Sequence, residues 1–209
     1  MRILLADDHA LVRCVFKHIL ETHFPDAEFG EAENCQQAVD AALAQSWDLV
    51  ILDISMPGRG GLDVLKKIHA QRPKTPVLIV SMHAEQSFVM RAFRTGATGY
   101  LDKASTSHEL IEAVERVLSG NRYISNALAE QWAVTLGCTP EDLLDQQLSN
   151  REFEVMRRIA SGETVRTIAQ DMLLSGNSIG TYRMRILKKM QMHTNADLTR
   201  YAIQNRLVA

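Results

Sequence analysis

Five short strand-like runs, each followed by a stretch with helical period, dominate the first 120 residues. The runs are ILLA (3–6), AEFGEAE (27–33), DLVILDI (48–54), PVLIVSM (76–82) and TGYL (98–101). After the first, LVRCVFKHIL (11–20) places Val12, Val15, Phe16 and Ile19 at the 3.6-residue period of a helix. Asn34 is placed to cap the next helix. LDVLKKI (62–68), FVMRAFRT (88–95) closed by Gly96, and a segment from about 107 to 118 follow. Strand and helix thus alternate five times. Short, continuously apolar strands between helices predict a parallel sheet covered on both faces.

From residue 148 the pattern is helical throughout. Ser149 with Glu152 three residues on forms a capping box, and Gly162 ends the helix it opens. Thr164 caps a short helix over 165–173, Ser175 a third over about 176–190, and Thr194 with Asp197 a fourth over about 195–207. The second and third, joined by a tight turn, have the layout of a helix-turn-helix. Residues 121–147 are predicted to hold one short helix and a polar linker with Pro140. The expected organisation is therefore 1–120, 121–147 and 148–209.

Charge divides along the same lines. Lys and Arg against Asp and Glu number 12 to 16 in 1–120, 1 to 4 in 121–147 and 10 to 5 in 148–209. The segments carry −4, −3 and +5, summing to the net −2. A basic end behind an acidic body suits nucleic-acid binding. Cys14, Cys35 and Cys138 are odd in number and lack metal-ligand spacing, so reduced thiols are expected. No apolar run approaches the ~20 residues of a membrane span, and the N-terminus does not read as a signal peptide. The expected location is the cytoplasm.

In a doubly wound sheet, ligands bind beyond the carboxyl ends of the strands. Those ends carry Asp7 and Asp8 after the first strand, Asp53 on the third, Ser81 on the fourth and Lys103 after the fifth. Adjacent, partly buried carboxylates repel, and a cation relieves them.

LLADDH, DLVILDISMPGRGGLD, Ser81 and GATGYLDK together resemble the receiver domain of two-component response regulators. LSNREFEVMRRIASGETVRTIAQDMLLSGNSIGTYRMRILKKM resembles the LuxR-type helix-turn-helix. The whole chain resembles a NarL/FixJ-type response regulator. The resemblance implies a flavodoxin-like, five-stranded sheet of order 2-1-3-4-5 over 1–120, a linker, and a four-helix DNA-binding domain over 148–209. It implies Mg²⁺ held by Asp8 and Asp53, by Asp7 through water, and by the backbone carbonyl of Ser55. Mg²⁺ suits such oxygen ligands. Asp53 would be the nucleophile that takes a phosphoryl group from a phosphohistidine. Lys103 and Mg²⁺ would neutralise its charge, and Ser81 would hydrogen-bond a phosphoryl oxygen. Tyr100 is read either as a switch that turns inward or as ordinary core. His9 sits at a helix start rather than in the ligand set. The expected chemistry is the chain's own phosphoryl acceptance and loss.

The implied partners are a sensor histidine kinase, double-stranded promoter DNA and, on activation, a second copy of the chain. In the third helix of the basic domain, Ile179, Ile186 and Met190 face inward, bordered by Tyr182 or Arg183. Asn177, Gly180, Thr181, Met184 and Lys188 face out, as candidates for the major groove. Arg183, Arg185, Lys188 and Lys189 are candidates for phosphates. Gly176 and Gly180 stand where many relatives carry a longer side chain. In the last helix Leu198, Ala202 and either Tyr201 or Ile203 form a stripe that suits the core or a dimer interface equally. Two other functions compete. A haloacid-dehalogenase-like phosphatase wants an Asp-x-Asp pair on the first strand, whereas here the acids are adjacent. A receiver acting without phosphorylation would not require all five pocket residues.

Overall fold

The computed structural model describes residues 1–56, 60–82, 86–125, 144–205 and 207–208. The chain divides into two compact units, residues 1–133 and 134–209. In the first, β1 (Arg2–Ala6), β2 (Glu28–Ala32), β3 (Leu49–Asp53), β4 (Val77–Ser81), β5 (Gly99–Asp102) and β6 (Tyr123–Ile124) alternate with five helices. These are α1 (Ala10–His23), α2 (Cys35–Ala44), α3 (Gly61–Gln71), α4 (Gln86–Thr95) and α5 (Ser107–Leu118). All pairings are parallel, and the strand order is β2-β1-β3-β4-β5-β6.

The strands alternate their side chains between two buried faces. Ile3, Leu5, Ile51, Leu78, Val80 and Leu101 form one core with Leu20 of α1 and Leu110, Val114 and Val117 of α5. Leu4, Leu52 and Ile79 are fully buried on the opposite face, the side of α2, α3 and α4. Chain reversal is local: Asn34 caps α2 by accepting from the Gln37 N–H at 2.9 Å, and Gly96 closes α4 at φ +116°.

Two expectations need correction. Among the described residues the sheet has six strands, not five. β6 pairs Tyr123 with Gly99 and Ile124 with Tyr100, inside the stretch read as linker. Two residues are too few to show a strand's period. They dock because Gly99 has no side chain: a Cβ there would come within 3.3 Å of the Tyr123 Cβ and 2.9 Å of Leu78 and Val117. The helix expected between 121 and 147 falls largely on 126–143, outside the described residues. In α1, Val15 is exposed, whereas Arg13 and Leu20 are buried. The inward face runs through 13, 16 and 20, because Arg13 finds acceptors there.

The second unit holds a short 3₁₀ turn, Leu144–Gln147, followed by α6 (Asn150–Ala160), α7 (Val165–Asp171), α8 (Gly176–Lys189) and α9 (Asn195–Gln204). Ser149–Glu152 and Thr194–Asp197 form capping boxes, and Thr164 and Ser175 accept from the N–H groups of Thr167 and Ser178. Gly162 ends α6 at φ +83°. Phe153, Met156, Ile168, Ile179, Ile186 and Leu198 make the core. Leu198 and Ala202 of α9 are wholly buried, while Ile203 is exposed. Tyr201 is engaged by the buried Asp145: its hydroxyl donates to Oδ1 at 2.7 Å and accepts from the Asp145 N–H at 3.2 Å. No helix among the described residues is long and apolar enough to cross a membrane.

Candidate functional site

The carboxyl ends of β1, β3 and β5 converge. Asp7 is 6% exposed, Asp53 1%. Lys103, whose backbone N–H donates to the Ser81 carbonyl at 2.9 Å, reaches both acids. Its Nζ lies 2.6 Å from Asp7 Oδ2 and 2.7 Å from Asp53 Oδ2. The other Asp53 oxygen accepts from the Ser55 N–H at 2.8 Å. α3 starts against the same strand end because Gly61 leaves room: a Cβ would sit 2.3 Å from the Ile54 Cα and 2.7 Å from the Asp53 carbonyl oxygen.

Burial pushes the Asp53 carboxyl above its ordinary range, against the opposing pull of the Lys103 and Ser55 hydrogen bonds. For Lys103, burial acts downward, but the bonds to Asp53 and Asp7 outweigh it and hold the ammonium above its usual value. The lysine is therefore a fixed cation between two acids.

Asp7, Asp8, His9 and Asp53 each place a ligating atom within 4.8 Å of the others. His9 is the N-cap residue of α1. Its backbone N–H donates to Asp7 Oδ1 at 2.8 Å, and its Nδ1 lies 3.0 Å from Asp8 Oδ1. That Asp8 oxygen is buried with no well-formed hydrogen bond. Three carboxylates against one ammonium leave two negative charges in a mostly buried space. An oxygen-rich donor set with that surplus suits a hard divalent cation such as Mg²⁺. Ser81 and Tyr100 are both wholly buried. Ser81 is one residue past the Asp53–Val80 pair of the β3–β4 ladder, and its carbonyl accepts from the backbone of Lys103. His83, a neighbour that could shape access, lies outside the described residues, and Met82 is exposed.

One residue of this site escaped the sequence reading. Arg13 is buried, and its Nη1 donates to the backbone carbonyl of Asp7 at 2.8 Å. Its spacing from Asp7, with Glu31 and Glu33 alternating at the end of β2, was the available signal.

In the second unit α8 has the two faces expected. Ile179, Ile186 and Met190 are buried, joined by Leu187. Asn177, Gly180, Thr181, Met184, Arg185, Lys188 and Lys189 are exposed, and Tyr182 and Arg183 border the two faces. Two cations are engaged within the protein. Lys189 Nζ is 2.6 Å from Glu152 Oε2, tying α8 to α6, and Arg183 Nε donates to Asn195 Oδ1 at 2.6 Å. Burial acts upward on Glu152, but Lys189 and the Ser149 cap hold its carboxyl below the ordinary range. A Cβ on Gly180 would meet nothing within 4 Å, so packing inside the protein does not require this glycine.

Comparison with known proteins covers both units. The model for the response regulator receiver domain matches residues 3–115, and that for the luxR family of bacterial regulatory proteins matches residues 146–202. Response regulator UvrY of Escherichia coli K12 is 34% identical over 209 residues, 99% of this chain and 95% of that protein. Response regulator GacA of Pseudomonas aeruginosa is 30% identical over 209 residues, 100% of this chain and 98% of that protein. A LuxR-family two-component response regulator from Aurantimonas aligns at TM-score 0.62 and 32% identity over 66% of this chain and 98% of its own. RcsB from Salmonella, solved on promoter DNA with a phosphomimetic, shares the fold at TM-score 0.69 and 22% identity over 96% and 97% of the two chains. With a receiver pocket at the strand ends, a helix-turn-helix later in the chain and relatives matched over nearly their whole length, this chain belongs to the NarL/FixJ-type response regulators of the LuxR family.

Proposed function

We propose that this chain accepts a phosphoryl group on Asp53 from a sensor histidine kinase and thereby controls its own dimerisation and its binding to promoter DNA. The observation that carries the reading is the buried Asp53–Lys103–Asp7 bridge, with Asp8 beside it. In the transfer, an Asp53 carboxylate oxygen forms the O–P bond as the N–P bond to the kinase histidine breaks. Asp7, Asp8 and Asp53, with the Ser55 carbonyl, would hold Mg²⁺. When bound, the metal supplies charge neutralisation for the phosphoryl oxygens. Lys103 is already fixed at the nucleophile and takes part of the same charge. Ser81 and Tyr100, buried on β4 and β5, are the candidates to register the new charge and pass it along the sheet.

DNA is assigned to the exposed face of α8. Arg185 and Lys188 are exposed on it and have no ion-pair partner among the described residues; they are the first choice for phosphates. Lys189 and Arg183 would have to leave Glu152 and Asn195 to contribute. Asn177, Gly180, Thr181 and Met184 face the bases in this reading. The same assignment fits RcsB, which shares the fold and was solved bound to a promoter. Gel shifts on a promoter fragment test the reading. Wild type treated with acetyl phosphate and Mg²⁺ binds more tightly than untreated protein, whereas Asp53→Asn does not respond. Equal binding by all three would point to a receiver that acts without phosphorylation.

A further inference from the structure

We propose that Arg13 is a positioning residue of the acidic pocket, fixing the peptide unit between Asp7 and Asp8 so that both carboxylates face the metal position. The inference rests on the Mg²⁺-binding reading of that pocket.

Arg13 is 6% exposed, and its guanidinium uses three separate acceptors. Nη1 donates to the Asp7 carbonyl at 2.8 Å, Nη2 to Glu33 Oε1 at 2.9 Å, and Nε to Glu31 Oε2 at 3.3 Å. The acceptors lie at the end of β1, just after β2, and on β2 itself. A planar fork of donors in fixed directions can span such a set, and a lysine ammonium cannot. The Asp7 carbonyl belongs to the peptide bond that joins Asp7 to Asp8, so holding this oxygen sets the plane from which both side chains depart. The preceding peptide is held as well, because the Asp7 N–H donates to the Ala32 carbonyl at 3.1 Å. Arg13, Asp7 and Asp53 also line one small cavity of about 10 Å³, so the guanidinium stem packs directly behind the acids.

The role is geometric rather than electrostatic. Glu31 and Glu33 offset the guanidinium charge, and Lys17 adds a further cation on Glu31 at 3.1 Å. Loss of Arg13 therefore loosens the ligands without removing a charge aimed at the phosphoryl group. Partners that orient metal ligands from behind typically change affinity by ~10–100-fold when lost.

The test is a Mg²⁺ titration of the full chain followed by amide NMR shifts around the pocket, with phosphoryl uptake from acetyl phosphate measured at low and saturating Mg²⁺. Arg13→Gln is expected to bind Mg²⁺ at least ~10-fold more weakly and to recover uptake as Mg²⁺ saturates. Arg13→Lys does not restore affinity. Leu20→Ala, a core truncation on the same helix, lowers the melting temperature but keeps wild-type Mg²⁺ affinity. Wild-type affinity in Arg13→Gln, or equal losses in Arg13→Gln and Leu20→Ala, overturns the inference alone. Should Arg13→Gln fail to fold, Glu33→Ala, which removes the acceptor at the exposed end of the fork, is read instead, and unchanged affinity there overturns it. Wild type that binds no Mg²⁺ overturns this inference together with the reading of the pocket.

Discussion

The two units use charge in opposite ways. In the first, Asp7, Asp53 and Lys103 are taken out of water and held by each other at 2.6 and 2.7 Å. In the second, Arg185 and Lys188 stand in solvent on the outer face of α8. Two unit charges 4 Å apart interact by about 1 kcal/mol in water and about 4 kcal/mol at an effective dielectric of 20. The pocket thus concentrates a strong, position-sensitive field on one spot, as suits a single phosphoryl group. The helix face spreads weak, screened attraction over a long polyanion. A buried site fails when one partner is removed, whereas an exposed face fails by degrees.

Lys103→Met exposes that contrast most sharply. It leaves the buried Asp7 and Asp53 without their cation, and removing one partner of a buried pair costs about 3–5 kcal/mol. Thermal melts in Mg²⁺-free buffer are expected to show a large loss, partly recovered by added Mg²⁺. A variant as stable as wild type would mean that Lys103 does not compensate the acids.

Glu152–Lys189 lies between the two extremes, with one partner buried and the other partly exposed. Glu152→Gln keeps a side chain able to complete the capping box but removes the ion pair, at a cost of about 1–2 kcal/mol. The Glu152 carboxyl is held below its ordinary value in the folded chain. Its contribution is therefore fully present above the unfolded value, about pH 4.3, and is lost as pH falls through the lower folded value. Circular dichroism melts of wild type and variant should differ at pH 7 and converge in acid. A gap that widens as pH falls would contradict the sign.

Arg185→Ala and Lys188→Ala should give the smallest single effects. Each weakens binding to every DNA sequence alike and flattens the slope of log affinity against log salt by about 0.9. A change in sequence preference at unchanged slope would place that side chain on bases instead.

The same contrast separates what could be read in the sequence from what could not. Asp7, Asp8, Asp53, Ser81 and Lys103 were legible because strand ends in an alternating fold converge at one edge. The caps at Asn34, Ser149, Thr164, Ser175 and Thr194 were legible because their partners lie within a few residues. Contacts across distance were not. The Lys189–Glu152 bridge was hidden because its partners are 37 residues apart. Arg13 was passed over because hydropathy does not register the distant acceptors at Glu31 and Glu33. β6 was hidden because its two residues owe their place to Gly99, not to their own pattern.

The measurement that bears most directly on the central claim is the intact mass of wild type and Asp53→Asn after acetyl phosphate with Mg²⁺, with native size recorded alongside. Gain of one phosphoryl group by wild type alone, with a shift toward dimer, is the predicted result. A phosphoryl group on Asp53→Asn, or none on wild type, would contradict the assignment of Asp53 as the acceptor.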